Sequence, residues 1–118
     1  MLPKRYRLTR SEDFTRVREE GECFTTRRLV LCYRRNQDAI LRVGFSVSKR
    51  VGGAVVRNQI KRRLRASIRP FCEVIAPGWD LVVIARQQAN AASGPELGAD
   101  LSLLLGKARL YRVDAHVA

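Results

Sequence analysis

Apolar positions recur with two different periods along this chain, and the two periods divide it into elements. Between Ala54 and Arg69 (AVVRNQIKRRLRASIR), Val56, Ile60, Leu64 and Ile68 follow each other four residues apart. This helical period predicts one amphipathic helix. Pro70 stands where that helix should finish. Leu97, Leu101, Leu104 and Ala108 predict a final helix, with Pro95 in its first turn after a polar loop over 87–94. A short first helix is expected after Ser11, a candidate N-cap, with Glu12 and Asp13 at its positive end and Gly21 as its stop. Phe14 and Val17 share one side of it, and Arg18 lies one turn beyond Phe14.

Elsewhere the pattern is that of strands. Leu29–Tyr33 and Leu41–Val47 read as two strands, the second alternating strictly, with Leu41, Val43, Phe45 and Val47 on one face and Arg42, Gly44 and Ser46 on the other. The polar turn 35–38 between them predicts an antiparallel pair, extended by a short strand near Phe24. After Pro77-Gly78, Trp79–Ala85 reads as a buried strand. A helix separates it from the earlier strands, so it should join the same sheet by a crossover. The order helix, strands, helix, strand, helix predicts an α+β sandwich in a single domain over 1–118.

Charge changes the picture of the basic helix. The chain carries +12, and residues 1–70 hold 19 Lys or Arg against 6 Asp or Glu, whereas residues 71–118 hold 4 against 5. Arg57, Lys61 and Arg65 form a cationic stripe beside the apolar one, widened by Asn58, Arg62 and Arg69, with no acid from Ala54 to Arg69. A solvated helix face mixes Glu with Lys. Acid-free cations instead repel one another until a polyanion arrives, and such a region is the footprint of a nucleic-acid binder. Lys49 and Arg50 in the loop Ser48–Ala54 extend the surface, and Gly52-Gly53 allows close phosphate approach. That loop lacks the Gly-Lys-Ser/Thr ending of a nucleotide-binding loop. The helix has no Trp or Phe before Phe71, which disfavours a membrane surface. Only Asn58 and Gln59 could read bases beside the cations, which disfavours DNA. The N-terminus lacks an apolar segment after its charges, and a cytoplasmic protein is expected.

Catalytic chemistry is not visible in the residues. The one histidine is His116, and no acid lies between Asp38 and Glu73. Glu12, Asp13, Glu19, Glu20 and Glu22 are explained as the ends and exposed face of the first helix. Cys23, Cys32 and Cys72 are widely spaced without a CxxC pair, and are read as reduced, mostly buried thiols with no partner histidine. No catalytic residue and no protein metal site are expected. RVGFSV has one aromatic where the strand of an RNA-recognition motif needs two or three. A general RNA-binding ribosomal or assembly protein would satisfy all of these observations.

One resemblance goes further. RVGFSVSKRVGGAVVRNQIKRRLR, with Arg57-Asn58, Lys61-Arg62 and Arg65 in an R-N-x-x-K-R-x-x-R pattern, resembles the signature region of the bacterial ribonuclease P protein family. Tyr6-Arg7-Leu8, Asp13-Phe14 and Asp80–Arg86 (DLVVIAR) extend the match over roughly residues 4–86. The resemblance implies an α-β-β-β-α-β-α sandwich with a left-handed crossover, ribosomal-protein-S5-domain-2-like, against the usual right-handed rule. It implies a subunit of the ribonucleoprotein that removes the 5′ leader of precursor tRNA, with catalytic Mg²⁺ held by the RNA subunit. Lys49, Arg50, Arg57, Asn58, Lys61, Arg62, Arg65 and Arg69 become the expected contacts to ribonuclease P RNA. Phe14, Arg18 and Cys32 become the expected leader cleft. Arg18 replaces a second aromatic seen in some members, and Cys32 aligns with a strand tyrosine, so this cleft should rely less on stacking and more on charge.

Overall fold

A computed structural model describes residues 2–112. The elements are α1 (Ser11–Glu20), β1 (Glu22–Thr25), β2 (Leu29–Arg35), β3 (Leu41–Val47), α2 (Ala54–Ile68), β4 (Trp79–Ala85) and α3 (Gly94–Lys107). This is the α-β-β-β-α-β-α order, and the fold class is α+β. His116 lies outside the described residues.

The four strands form one sheet in the order β1-β2-β4-β3. The predicted antiparallel pairing of Leu29–Tyr33 with Leu41–Val47 is not formed. β4 lies between the two, antiparallel to β2 and parallel to β3, to which it connects through α2. The reason is legible in composition. β3 alternates, whereas β4 is apolar on both faces, with Leu81, Val82 and Val83 fully buried. A strand with two apolar faces is placed where both can be covered, at the sheet centre.

One sheet face carries the main core, where Leu29, Leu31, Val43, Leu81 and Val83 meet Ile60, Leu64 and Ile68 of α2 and Leu97, Leu101, Leu104 and Leu105 of α3. Each such fully buried aliphatic side chain stabilises the fold by about 1.5–3 kcal/mol. The predicted apolar stripe of α2 is therefore its docking face. Arg63 on the flank donates to the Ala92 carbonyl and Ser67 to that of Gly94, tying α2 to the start of α3. α3 opens with a reciprocal capping box, in which Ser93 and Glu96 each accept from the other's backbone N–H. Those bonds and Arg28 hold the Glu96 carboxyl below its usual range.

The opposite sheet face carries α1 over a smaller cluster of Leu8, Val17, Cys32 and Val82, flanked by Phe14, Val30 and Ile84. Ser11 does not cap α1. It is the first helical residue, Arg10 is at the cap position, and no side chain caps the helix. At the sheet end, Arg42 grips the buried Asp80 through Nε–Oδ1 (2.9 Å) and a terminal nitrogen–Oδ2 (3.1 Å), while Asn36 Nδ2 donates to the same Oδ1 at 2.9 Å. The hydrogen bonds to Asp80 raise the pKa of Arg42 further.

The expectation of three reduced thiols is also corrected. A three-residue turn after Thr25 pairs Thr25 with Val30, and this register sets Cys23 directly opposite Cys32. The two form a disulfide. Cys23 is exposed and Cys32 buried. Cys72 alone is a free, buried thiol, its pKa pushed up to about 11 by burial.

Candidate RNA interface

The candidate RNA surface is built on α2, whose core stripe fixes the direction of every other side chain. With Ile60, Leu64 and Ile68 inside, Asn58 and Arg62 are exposed, and Arg69 is exposed in the short 3₁₀ turn Arg69–Phe71 that Pro70 imposes. Arg57, Lys61 and Arg65 are half-buried along the edge of the stripe. Lys49 and Arg50 are exposed in the β3–α2 loop, which Val51 anchors in the core.

The acids that form ion pairs form them elsewhere. Asp13 meets Arg16, Glu20 meets Arg34, Glu96 and Asp100 meet Arg28, and Asp38 and Asp80 meet Arg42. Among the described residues, no ion pair involves Lys49, Arg50, Arg57, Lys61, Arg62 or Arg65. Arg57 Nε is buried without an acceptor. A donor left in that state costs roughly 1–3 kcal/mol.

The half-buried stripe does not point the same way as the exposed one. Lys61 and Phe14 face each other across a cleft of about 340 Å³ that Arg18, Ser46 and Thr9 also line. A second hollow of about 210 Å³ continues it, with Arg7, Gly44, Lys61 and Arg65 around Phe14. The cleft floor is β3, whose alternation turns Gly44 and Ser46 to this side. Phe14 reaches the floor only because Gly44 has no side chain: a Cβ there would lie 2.3 Å from Phe14 Cζ.

The structure thus brings Phe14 and Arg18 together at the same hollow. It also places Lys61 and Arg65 on the cleft wall, apart from Asn58 and Arg62, with which sequence reasoning had grouped them. Cys32 is close to Phe14 but beneath the surface, packed with Val17 and Val82 and bonded to Cys23. It lines neither hollow, and Tyr33 next to it faces the main core. Arg7 belongs to the matched Tyr6-Arg7-Leu8 but is not among the expected site residues. Its place follows from the short bridge of its backbone to Val43 on the β3 edge, a pairing that its local pattern does not announce. Among the described residues no group of three or more His, Cys, Asp or Glu could hold a metal ion. No helix there is long and apolar enough to cross a membrane.

Comparison with known proteins gives this geometry a family. A family model described as Ribonuclease P matches residues 2–109. The ribonuclease P protein component of Roseiflexus castenholzii is 44% identical over 108 residues, covering 91% of this chain and 88% of its own. That of Oceanobacillus iheyensis is 38% identical over 112 residues, covering 94% and 93%. The solved RNase P protein of Staphylococcus aureus superposes with a TM-score of 0.83 at 33% identity, covering 92% of this chain and all of that one. The Thermotoga maritima RNase P protein gives 0.74 at 30% identity, over 83% and 94%. With the fold, the motif helix and these likenesses in agreement, the chain belongs to the ribonuclease P protein family.

Proposed function

We propose that this chain, as the protein component of a cytoplasmic ribonuclease P, uses α2 to touch two RNAs at once. Lys49, Arg50, Arg57, Asn58, Arg62 and Arg69 dock on ribonuclease P RNA. Lys61 and Arg65 neutralise phosphates of the precursor-tRNA 5′ leader, which lies in the cleft against Phe14 and Arg18. One observation carries this reading: Asn58 and Arg62 are on an exposed face of α2 while Lys61 and Arg65 line the cleft, and among the described residues Lys61, Arg62 and Arg65 make no ion pair.

The described residues do not fit a catalytic metal, so no chemical step is derived on this chain. Leader hydrolysis is assigned to the RNA subunit and to the Mg²⁺ it holds. The protein contributes positioning, which lowers a barrier by fixing the scissile bond beside the metals. Single-stranded RNA suits the cleft because an aromatic face and a row of cations recognise any base sequence.

The test is reconstitution. The purified protein, mixed with a bacterial ribonuclease P RNA at moderate salt and low Mg²⁺, should accelerate leader removal from precursor tRNA over RNA alone. An unchanged rate would overturn the reading.

A further inference from the structure

The Cys23–Cys32 bridge sits where it can act on the cleft. Cys32 belongs to the buried cluster beneath α1, between Val17 and Val82, with Phe14 packed against the same cluster. Cys23 belongs to β1, a four-residue edge strand that pairs on one side only and is mostly exposed. Just Gly21 and Glu22 separate Cys23 from the last residue of α1. Gly21 itself is wedged in place: a Cβ there would lie 2.3 Å from the Tyr33 carbonyl oxygen and 2.5 Å from that of Val17. The end of α1, the turn at Gly21 and the first residues of β1 are therefore packed as one continuous segment against Tyr33 of β2. The disulfide fastens that unit to the sheet, and Phe14 projects from its other end.

We infer that Cys23–Cys32 is a reversible redox lock on α1, closed as the disulfide and opened by dithiols, which sets how firmly the leader cleft is held. The exchange step needs only an external thiol. A thiolate of a dithiol reductant attacks the Sγ of Cys23, the exposed residue of the pair, the Cys23–Cys32 bond breaks, and Cys32 leaves as a thiolate that takes up a proton. The second thiol of the reductant then displaces Cys23, so the pair ends as two thiols and the dithiol as its own disulfide. Two unbonded sulfurs require more separation than two bonded ones. Cys32 is held by the core, so Cys23 and the edge strand give way. What resists is the β1–β2 ladder, the bond from the Tyr33 hydroxyl to Glu22 Oε2 at 3.0 Å and the stacking of Phe24 on Tyr33, in a strand with one neighbour. A loosened α1 must be ordered again when the leader binds, which weakens binding. In a reducing compartment a bridge with one exposed cysteine residue is of the exchangeable kind. Cys72 takes no part: it is buried against the main core on the other side of the sheet, with its thiol pKa pushed up to about 11.

The consequence for leader binding rests on the function proposed above, and the experiment separates the two. The full chain is reduced with dithiothreitol or oxidised with an excess of oxidised glutathione, the reagent is removed, and the state of the pair is read by alkylation and mass. Amide hydrogen exchange of residues 11–21 is measured in the free protein, and affinity for a single-stranded leader oligonucleotide in both states. The expected results are slower exchange in the oxidised form and leader binding about fivefold tighter, the low end of couplings between sites. Both differences should vanish in Cys23→Ser/Cys32→Ser and persist in Cys72→Ser. A pair that stays reduced in oxidising buffer, equal exchange in the two states, or a response that survives in the double variant would overturn the lock. Exchange that responds while neither form binds the leader would leave the lock standing and remove the cleft assignment.

Discussion

The Phe14 ring rests on the bare backbone of Gly44, closely enough that a methyl group at Gly44 would lie 2.3 Å from Phe14 Cζ and 2.7 Å from Cε1. This one contact joins α1 to the cleft floor and sets the height of the aromatic face. Gly44→Ala should push Phe14 out of its seat and destabilise the protein by about 1–3 kcal/mol, the usual cost of forcing atoms into a packed site. Leader affinity should fall with it. Phe14→Leu introduced beside Gly44→Ala should recover part of the stability in urea unfolding. Strict additivity of the two changes would show that the contact does not exist in solution.

Arg18 lines the cleft beside Phe14 where some members of the family carry an aromatic side chain. Charge and stacking leave different signatures in salt. Arg18→Ala should weaken leader binding and flatten its dependence on salt, because one fewer phosphate is neutralised. Phe14→Ala should weaken binding by about 1–3 kcal/mol, the value of one base on an aromatic ring, with the salt dependence intact. Titration of a single-stranded leader at several salt concentrations measures both. An unchanged affinity for Arg18→Ala would remove its assigned role.

The sequence pattern carried the elements further than it carried their arrangement. The stripe Val56, Ile60, Leu64, Ile68 foretold which face of α2 is buried, and the alternation of β3 foretold that Gly44 and Ser46 face away from the main core. Strand neighbours were misread because a short polar turn after β2 suggests a hairpin, while insertion of β4 between β2 and β3 depends on burial of both its faces. The cysteine pairing was missed for a related reason, since register follows from the turn at residues 26–28 and not from spacing between cysteines. Separation of Lys61 and Arg65 from Asn58 and Arg62 needed the position of α1. One helix gives the spacing of its cations, but which of them face a cleft depends on what is packed beside it.

Arg42 and Asp80 join β3 to β4 at the end of the sheet remote from the β3–α2 loop, and Asp80 is 6% exposed. Arg42→Ala leaves a buried carboxylate with Asn36 as its remaining side-chain partner, so the variant should lose roughly 3 kcal/mol of stability. Adding Asp80→Asn removes the stranded charge. The double variant should therefore be more stable than Arg42→Ala alone, read as a higher urea midpoint. A lower midpoint would mean that the carboxylate is solvated.

Alkaline stability should depend on Cys72. Burial raises its thiol from the ordinary 9.0 to about 11 in the folded chain, so the folded state holds a proton that the unfolded state releases first. Its contribution is complete below pH 9 and is lost as pH rises through about 11. Between pH 8 and 10.5 the loss should reach up to about 2 kcal/mol. Tyr33, raised by burial and by its bond to Glu22, adds a loss of the same sign above its ordinary value of 10.0. Cys72→Ala should leave the Tyr33 part alone. A variant with the same pH profile as the parent would show that Cys72 titrates normally.

The division of α2 into two faces predicts two kinds of binding defect. Arg62 is exposed on the outer face, whereas Lys61 faces Phe14 across the cleft. Arg62→Ala should weaken binding to ribonuclease P RNA and lower the salt slope by roughly 0.7–0.9 for each phosphate that is no longer neutralised. It should do so whether or not precursor tRNA is present. Lys61→Ala should leave assembly with the RNA subunit nearly unchanged. Its cost should appear as a smaller preference of the assembled particle for precursor tRNA over mature tRNA, because only the precursor has a leader to place in the cleft. Among the described residues neither side chain makes an ion pair, so neither substitution strands a partner there, and melting temperatures should stay close to the parent's. Equal effects of the two variants on assembly and on precursor preference would mean that the helix presents one continuous surface to one RNA, and the cleft would need a different occupant.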